Sequence, residues 1–352
     1  MAHELDVIVV GAGISGLIAT TVLHQQGAEV VCLEARERVG GRALSTNGWI
    51  DLGATWFWDG QAAITETVHS LELATYEQVL DGDALIEQTP GQAVRLDGNP
   101  IDRRGWRLHG GMQSLPLELA HRLPPATVRT SAAVQSITFE ADGAVSVETG
   151  SEEFSASTVV LAVPPKLAVE SIELNPAAPP GLLQAAQAVH TWMSDTVKVI
   201  ARFEEPFWRE AGLAGAALSH AGPFCEFHDH SGPEPGEAAL FGFAPAAQLG
   251  GAAPDEIAAR FQAQIARLFG PGASDILDLQ IADWSSDPLT STPAPARPST
   301  LWYYGIPLLR LPHYDGRLLF GSTETAPAFP GYLEGAVLAG RRAAGQALER
   351  RR

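Results

Sequence analysis

The stretch with the clearest chemistry is Gly11-Ala12-Gly13-Ile14-Ser15-Gly16. Glycines at this spacing let a backbone turn tightly and come close to a pyrophosphate. Gly11 suits the turn, Gly13 leaves no side chain in the way of phosphates, and Gly16 lets a helix pack closely on a strand. Downstream, Glu34 can accept hydrogen bonds from ribose hydroxyls and would repel a 2′-phosphate. A second position stands out because it does not suit its surroundings. Lys198 opens the apolar, β-branched run Lys198-Val199-Ile200-Ala201, where burying an ammonium requires a partner. The other reading is an edge lysine whose head reaches water.

Regular elements must hold these groups. Asp6-Val7-Ile8-Val9-Val10 reads as a buried parallel strand, Leu17 to Gln26 as a helix closed by Gly27, and Val30-Val31-Cys32-Leu33 as a second strand ending on Glu34. Strand, glycine turn, helix, strand and terminal acid make an adenine-dinucleotide unit. By itself it does not choose between FAD and NAD.

Two further blocks make that choice. The first is Glu34-Ala35-Arg36-Glu37-Arg38-Val39-Gly40-Gly41-Arg42, then Asp51-Leu52-Gly53-Ala54-Thr55-Trp56. The second is Leu318-Leu319-Phe320-Gly321-Ser322-Thr323-Glu324-Thr325, then Gly331-Tyr332-Leu333-Glu334-Gly335-Ala336. In these blocks the sequence resembles the flavin-containing amine oxidases, the family of monoamine and polyamine oxidases. The resemblance implies an α/β fold with a Rossmann-like FAD-binding domain of the interleaved GR2 type, built from residues 1–78, 106–165 and 313–352. A second, α+β substrate domain would take 79–105 and 166–312. The resemblance also implies a set of FAD contacts: Gly11, Gly13, Ile14, Ser15 and Gly16 in the first turn; Glu34, Ala35 and Arg36 after the second strand. Gly40, Gly41 and Arg42 would follow, then Gly53, Ala54 and Thr55, with Val134 at the adenine, Glu324 at the ribityl chain and Leu333 at the start of the last helix.

On the substrate side the resemblance gives Lys198 a water near flavin N5, Tyr332 one aromatic wall, and Trp56 an aromatic facing the substrate. Many members carry a flavin-linked cysteine and a tyrosine where this chain has Leu289-Thr290-Ser291-Thr292-Pro293. FAD is therefore expected to be non-covalent, and the opposite wall is left open among Trp302, Tyr303 and Tyr304. The chain also reaches Gly110-Gly111 quickly, so the family's helical cover over the site is expected to be reduced. The implied reaction is oxidation of an amine to an imine, with hydride transfer to the flavin and reoxidation by molecular oxygen giving hydrogen peroxide. Two alternatives keep the flavin: a desaturase, isomerase or NAD(P)H-linked reductase acting on a non-amine, and a non-catalytic flavin-binding partner protein.

Composition sets outer limits. The 352 residues are 45% hydrophobic and 18% charged, as in an ordinary globular chain of about two domains. No apolar run reaches the ~20 residues of a membrane span, the first residues do not read as a signal peptide, and membrane anchoring is not expected. The formal charge of −18 argues against nucleic acid and anionic membranes and could draw in cationic amines. Two cysteines give no disulfide framework and fit a reducing cytoplasm. His220, Glu226, His228, Asp229 and His230 lie among Gly, Pro and Ser and read as a solvated loop, not a metal site. No metal is expected, and the oligomeric state is left open. Elsewhere the pattern predicts helices over Ile64–Leu73 and Asp255–Leu268, a strand over Ile276–Trp284, and a hairpin-like turn at Leu96–Pro100.

Overall fold

The computed structural model describes residues 5–292 and 304–351. Among them the first sheet has eight strands. Its parallel core runs Val128–Arg129, Val30–Leu33, Leu5–Val10, the second half of Glu153–Leu161, and Leu318–Phe320. Alternation decides which side chain goes to which face. Val7, Val9, Cys32, Val160 and Leu319 pack under the helices Ile14–Gln25 and Leu333–Arg351. Ile8, Val10, Val31, Leu33, Val159 and Phe320 face the other way, onto a second core. Both faces are covered, so these strands read as unbroken apolar runs. The α/β class and the Rossmann-like unit expected from the sequence are present.

The second sheet has seven strands in the order Asp278–Asp283, Thr196–Phe203, Ala238–Pro245, Glu226–Asp229, Leu213–Ser219, Asp83–Glu87 and Ala93–Arg95. It is antiparallel except where Leu213–Ser219 runs parallel to Asp83–Glu87. Val197, Val199, Ala201 and Phe203 face the helix Pro254–Phe269, which buries Ile257, Phe261, Ile265 and Leu268. The alternate residues Lys198 and Ile200 face the opposite way, toward Trp49, Ile50 and Leu52 of the first block. A small third sheet joins Phe57–Trp58, Gly105–Leu108 and Thr75–Glu77.

Three details differ from the sequence reading. The crossing to the second sheet comes later than residue 166. Glu173–Asn175 still pairs with Val134–Phe139 of the first sheet, and Ala168, Ile172, Leu182 and Ala186 are buried on its second core. The apolar faces of Pro165–Ser171 and Pro180–Ala188 hold the chain there. The hairpin before Gly98 turns at residues 88–92, where Gly91 has φ +77° and the Gln92 N–H bonds Thr89 O, rather than at 96–100. The histidine-rich stretch is strand, not solvated loop: His228, Asp229 and His230 are buried at Glu226–Asp229 and just beyond it. Between Ser70 and Ser114 the described chain has strands and turns but no helix, in keeping with a reduced cover.

The two ends of the chain are locked together. Ser15 Oγ donates to Gly321 O across the first and last helices' packing. Glu334, in the first turn of the last helix, accepts from the Ala63 and Ile64 N–H groups at 3.1 and 2.7 Å. A buried carboxylate thereby caps the helix Ala62–Ser70, whose own N-terminal residue offers no side-chain cap. We expect Glu334→Ala to lose about 2–3 kcal/mol, because both N–H groups stay buried without an acceptor. Urea unfolding checks this; a midpoint equal to that of the parent would remove the cap from the account.

Candidate active site

The first and second sheets enclose a cavity of about 630 Å³. One end is the glycine turn. Gly11, Gly13, Ile14 and Ser15 line it, while Gly16 lies behind, where a Cβ would sit 1.9 Å from the Gly11 carbonyl. Around Gly13 a Cβ would meet nothing within 4 Å, so the turn faces open space with the N-terminus of Ile14–Gln25 behind it. Such an N-terminus offers free N–H groups and a positive dipole. Glu34 ties the wall together: Oε2 accepts from the Ala12 N–H at 2.8 Å and Oε1 from the Arg36 N–H at 2.9 Å. Arg36 lines the wall and is held by Asp287 and Thr290.

Gly40, Gly41, Arg42, Gly53, Ala54 and Thr55 continue the lining. Leu333 adds the start of the last helix. Glu324 lies behind Arg42, fully buried, 2.8 Å from its guanidinium. Neither oxygen of Glu324 meets a geometrically good hydrogen-bond donor, and neither does the buried Ser322 Oγ, among the described residues. A buried carboxylate paired, among the described residues, only with Arg42, which does line the cavity, keeps accepting capacity behind a wall that fits a polyhydroxylated chain such as a ribityl group. Ala35 and Val134 are off the wall. Val134 begins the strand after Ala132, whose N–H bonds Glu34 O.

The other end of the cavity carries Trp56, Trp58, Trp192, Lys198, Cys225, Glu226, Phe243 and Tyr332. The Tyr332 ring lies edge-on to Trp58 at 5.5 Å and tilted against Trp192 at 5.9 Å. Trp192 was invisible to motif reading. It belongs to the irregular segment before Thr196–Phe203, and only the fold turns it inward. Of the three residues left open for the opposite wall, Trp302 and Tyr303 lie outside the described residues. Tyr304 is packed against the first sheet's second core. A smaller cavity of about 370 Å³ adjoins this end and shares Trp56, Trp58, Glu226 and Tyr332 with it.

Lys198 is buried, not an edge residue. Its Nζ lies 2.5 Å from Asp51 O, 2.6 Å from Thr55 Oγ1, 3.2 Å from Gly53 O, and 4.2 Å from the Phe241 ring centre. Burial lowers its pKa to about 7; Asp51 opposes that shift and Arg107 adds to it. The site groups at and beside the Glu226–Asp229 strand are charged differently. His228 sits between Asp102 at 2.6 Å and Glu226 at 3.0 Å, under Trp56 at 5.1 Å. Burial would lower its pKa, but the two carboxylates outweigh it and raise it to about 9. His230 goes the other way, well below its usual value, through burial and the neighbouring Arg107 and Lys198 cations. Cys32 is buried in the first sheet and burial pushes its thiol up to about 12, away from chemistry. Among the described residues no group of three or more His, Cys, Asp or Glu is arranged to hold a metal ion, and no helix is long and apolar enough to cross a membrane.

The raised pKa of His228 fixes a sign. Its protonated form stabilises the fold fully below pH 6.5, and that contribution is lost as pH rises through about 9. The stability gap between the parent and His228→Gln should be largest at pH 6 and shrink by pH 9.5 in urea melts. A gap that is flat or widens with pH would contradict the bridged imidazolium.

Residues 86–348 match the family described as flavin containing amine oxidoreductase, and residues 9–71 match an NAD(P)-binding Rossmann-like domain. The chain is 26% identical to human amine oxidase [flavin-containing] B, over 99% of this chain and 87% of that one. It is 27% identical to the amine oxidase [flavin-containing] of Danio rerio, over 97% and 85%. The human alignment runs over 460 positions against 352 residues here, so a long stretch of the relative faces no residue of this chain. Solved structures share the fold: putrescine oxidase bound to putrescine at TM-score 0.86 and 23% identity, covering 98% of this chain and 99% of that one. Cyclohexylamine oxidase from Brevibacterium oxydans also gives 0.86, at 22% identity, covering 99% and 100%. The chain belongs to the flavin containing amine oxidoreductases and is an FAD-dependent oxidoreductase.

Proposed function

We propose that the protein oxidises an amine to an imine and that molecular oxygen takes up the electrons. The observation that carries the reading is one cavity holding the glycine cradle at one end and, at the other, a buried lysine beside aromatic walls. FAD, held without a covalent link, would supply the two-electron acceptor for oxidation of the carbon next to nitrogen and the route of the electron pair to oxygen, giving hydrogen peroxide. Water then hydrolyses the released imine to a carbonyl compound and the free amine or ammonia.

The chain's own residues supply the rest. Gly11, Gly13, Ile14, Ser15 and Gly16 would take the pyrophosphate with the helix N-terminus, Glu34 and Arg36 the adenosine side, and Glu324 with Arg42 the ribityl chain. Tyr332, Trp58 and Trp192 form an apolar corner that excludes water and orients an uncharged amine. Trp56 backs that corner, held on His228 and Phe241. Lys198, with a pKa of about 7, puts little fixed positive charge beside that corner at pH 8. A water held by Lys198 would displace its longest contact, Gly53 O at 3.2 Å. Among the described residues no side chain is placed as an obligatory base, and none is required when the substrate nitrogen is already neutral. In this reading the first sheet and its helices form the FAD-binding part, and the second sheet closes over the substrate. The unlinked cysteines and the strongly negative charge suit a cytoplasmic enzyme.

The test uses the yellow holoenzyme. Under anaerobic conditions primary and secondary amines should bleach the flavin band, and air should restore it with release of peroxide. Lys198→Met should slow bleaching or reoxidation on the order of 10²-fold. Bleaching by NADH or NADPH with no response to any amine would give the protein to the reductase reading instead.

A further inference from the structure

The chain has only two lysines, Lys166 and Lys198, within a total of 23 basic Lys and Arg residues. One is partly exposed on a short helix; the other is the buried site lysine. Three groups that family resemblance did not assign stand behind it. Asp51 is buried, and each of its polar atoms is engaged. Its carbonyl accepts from Lys198 Nζ at 2.5 Å, and its N–H donates to His230 Nε2 at 2.9 Å. Oδ1 accepts from Ser45 Oγ and the Met112 N–H, both at 2.7 Å, and Oδ2 lies 3.4 Å from Arg107 Nη2. Arg107, on Gly105–Leu108, is equally buried. It donates to Ser231 O and Trp49 O, and its Nη2 is 3.0 Å from His230 Nε2.

Two donors meet His230 at the same nitrogen, so this network assigns the ring proton to Nδ1 and makes the imidazole a neutral acceptor. The carbonyl that grips Lys198 is therefore fixed by its own residue at both ends. The carboxylate is clamped by Arg107, Ser45 and Met112, and the N–H is seated on His230. A carboxylate and a guanidinium in one buried cluster also set the potential at Nζ, with opposite signs.

We infer that Asp51, Arg107 and His230 are positioning residues that fix both the place and the charge state of Lys198. Other groups around Nζ come from neighbouring elements: Phe241 and Phe243 from Ala238–Pro245 and Thr55 from the first block, while Cys225 and Glu226 line the same cavity. Glu226 is bridged by His228 to Asp102, and the charges that act on Lys198 itself are Asp51, which holds its proton, and Arg107, which opposes it. The catalytic consequence rests on the proposed amine oxidation; the positioning itself does not.

The two-lysine sequence makes the test direct. The FAD-loaded full chain carrying 13Cε-lysine should give two resonances, and the partly exposed Lys166 serves as the internal reference. Lys198 should titrate well below it. Asp51→Asn should lower the Lys198 midpoint by about one pH unit, a ten-fold weaker hold on the proton, because Arg107 then acts unopposed. Arg107→Gln should raise it by a similar amount. If Asp51→Asn does not fold, the opposite-signed Arg107→Gln variant carries the test. Co-titration of Lys198 with Lys166 in the parent overturns the inference. So does an unmoved midpoint in a folded variant, which is what a purely structural role would give. A protein inert to amines in which the midpoints still move would remove the oxidase reading and leave this one standing.

Discussion

The cost of burying one amino group shapes the substrate side of this molecule. An ammonium in an apolar strand is tolerated only where oxygens surround it and its charge can be shed. Both conditions appear around Lys198, and each recruits a different part of the chain. The oxygens come from residues 51–55, which leave the first nucleotide-binding block. The second sheet contributes the strand itself and the Phe241 face. The lysine is thus a seam between two sheets that have separate cores. The same seam brings the cradle for a dinucleotide and the aromatic corner into one cavity.

The second constraint is closure of the chain on itself. The first and last helices cover one face of the parallel sheet, and Leu318–Phe320 completes that sheet beside Glu153–Leu161. Ser15 reaches Gly321, and Glu334 caps a helix that begins at Ala62. Residues far apart in sequence therefore share hydrogen bonds that water cannot supply once the core forms. The nucleotide cradle is a product of this closure. Glycines from the first turn, arginines from the next block and the acid just after the last strand converge only when both termini are in place.

Much of this was legible in the residues. Apolar runs with a glycine turn between them gave the first parallel strands and helix. Ile257, Phe261, Ile265 and Leu268, at helical spacing, gave Pro254–Phe269 almost to the residue. The incongruous lysine was legible as well, because an unexplained charge in a strand points to a partner. The partners themselves were not. Arg107 and His230 are neighbours only through the pairing of separate strands, and no local pattern marks them. The histidines were misread because the Gly and Pro residues beside them suggested a loop. In fact Asp102, Glu226, Arg107 and the Asp51 amide satisfy their ring nitrogens in part and make burial tolerable. Trp192 was missed for the plainest reason. An aromatic in an irregular segment carries no signal until the fold shows where the segment turns.

The cap formed by Glu334 has a bearing on selectivity. Tyr332 stands two residues before it, at the very start of the last helix, and its ring is wedged between two tryptophans. A side chain mounted on so anchored a helix start has little freedom to swing aside for a bulky guest. The binding slot should therefore behave as a rigid gauge, sorting candidate molecules by girth rather than reshaping itself around each of them.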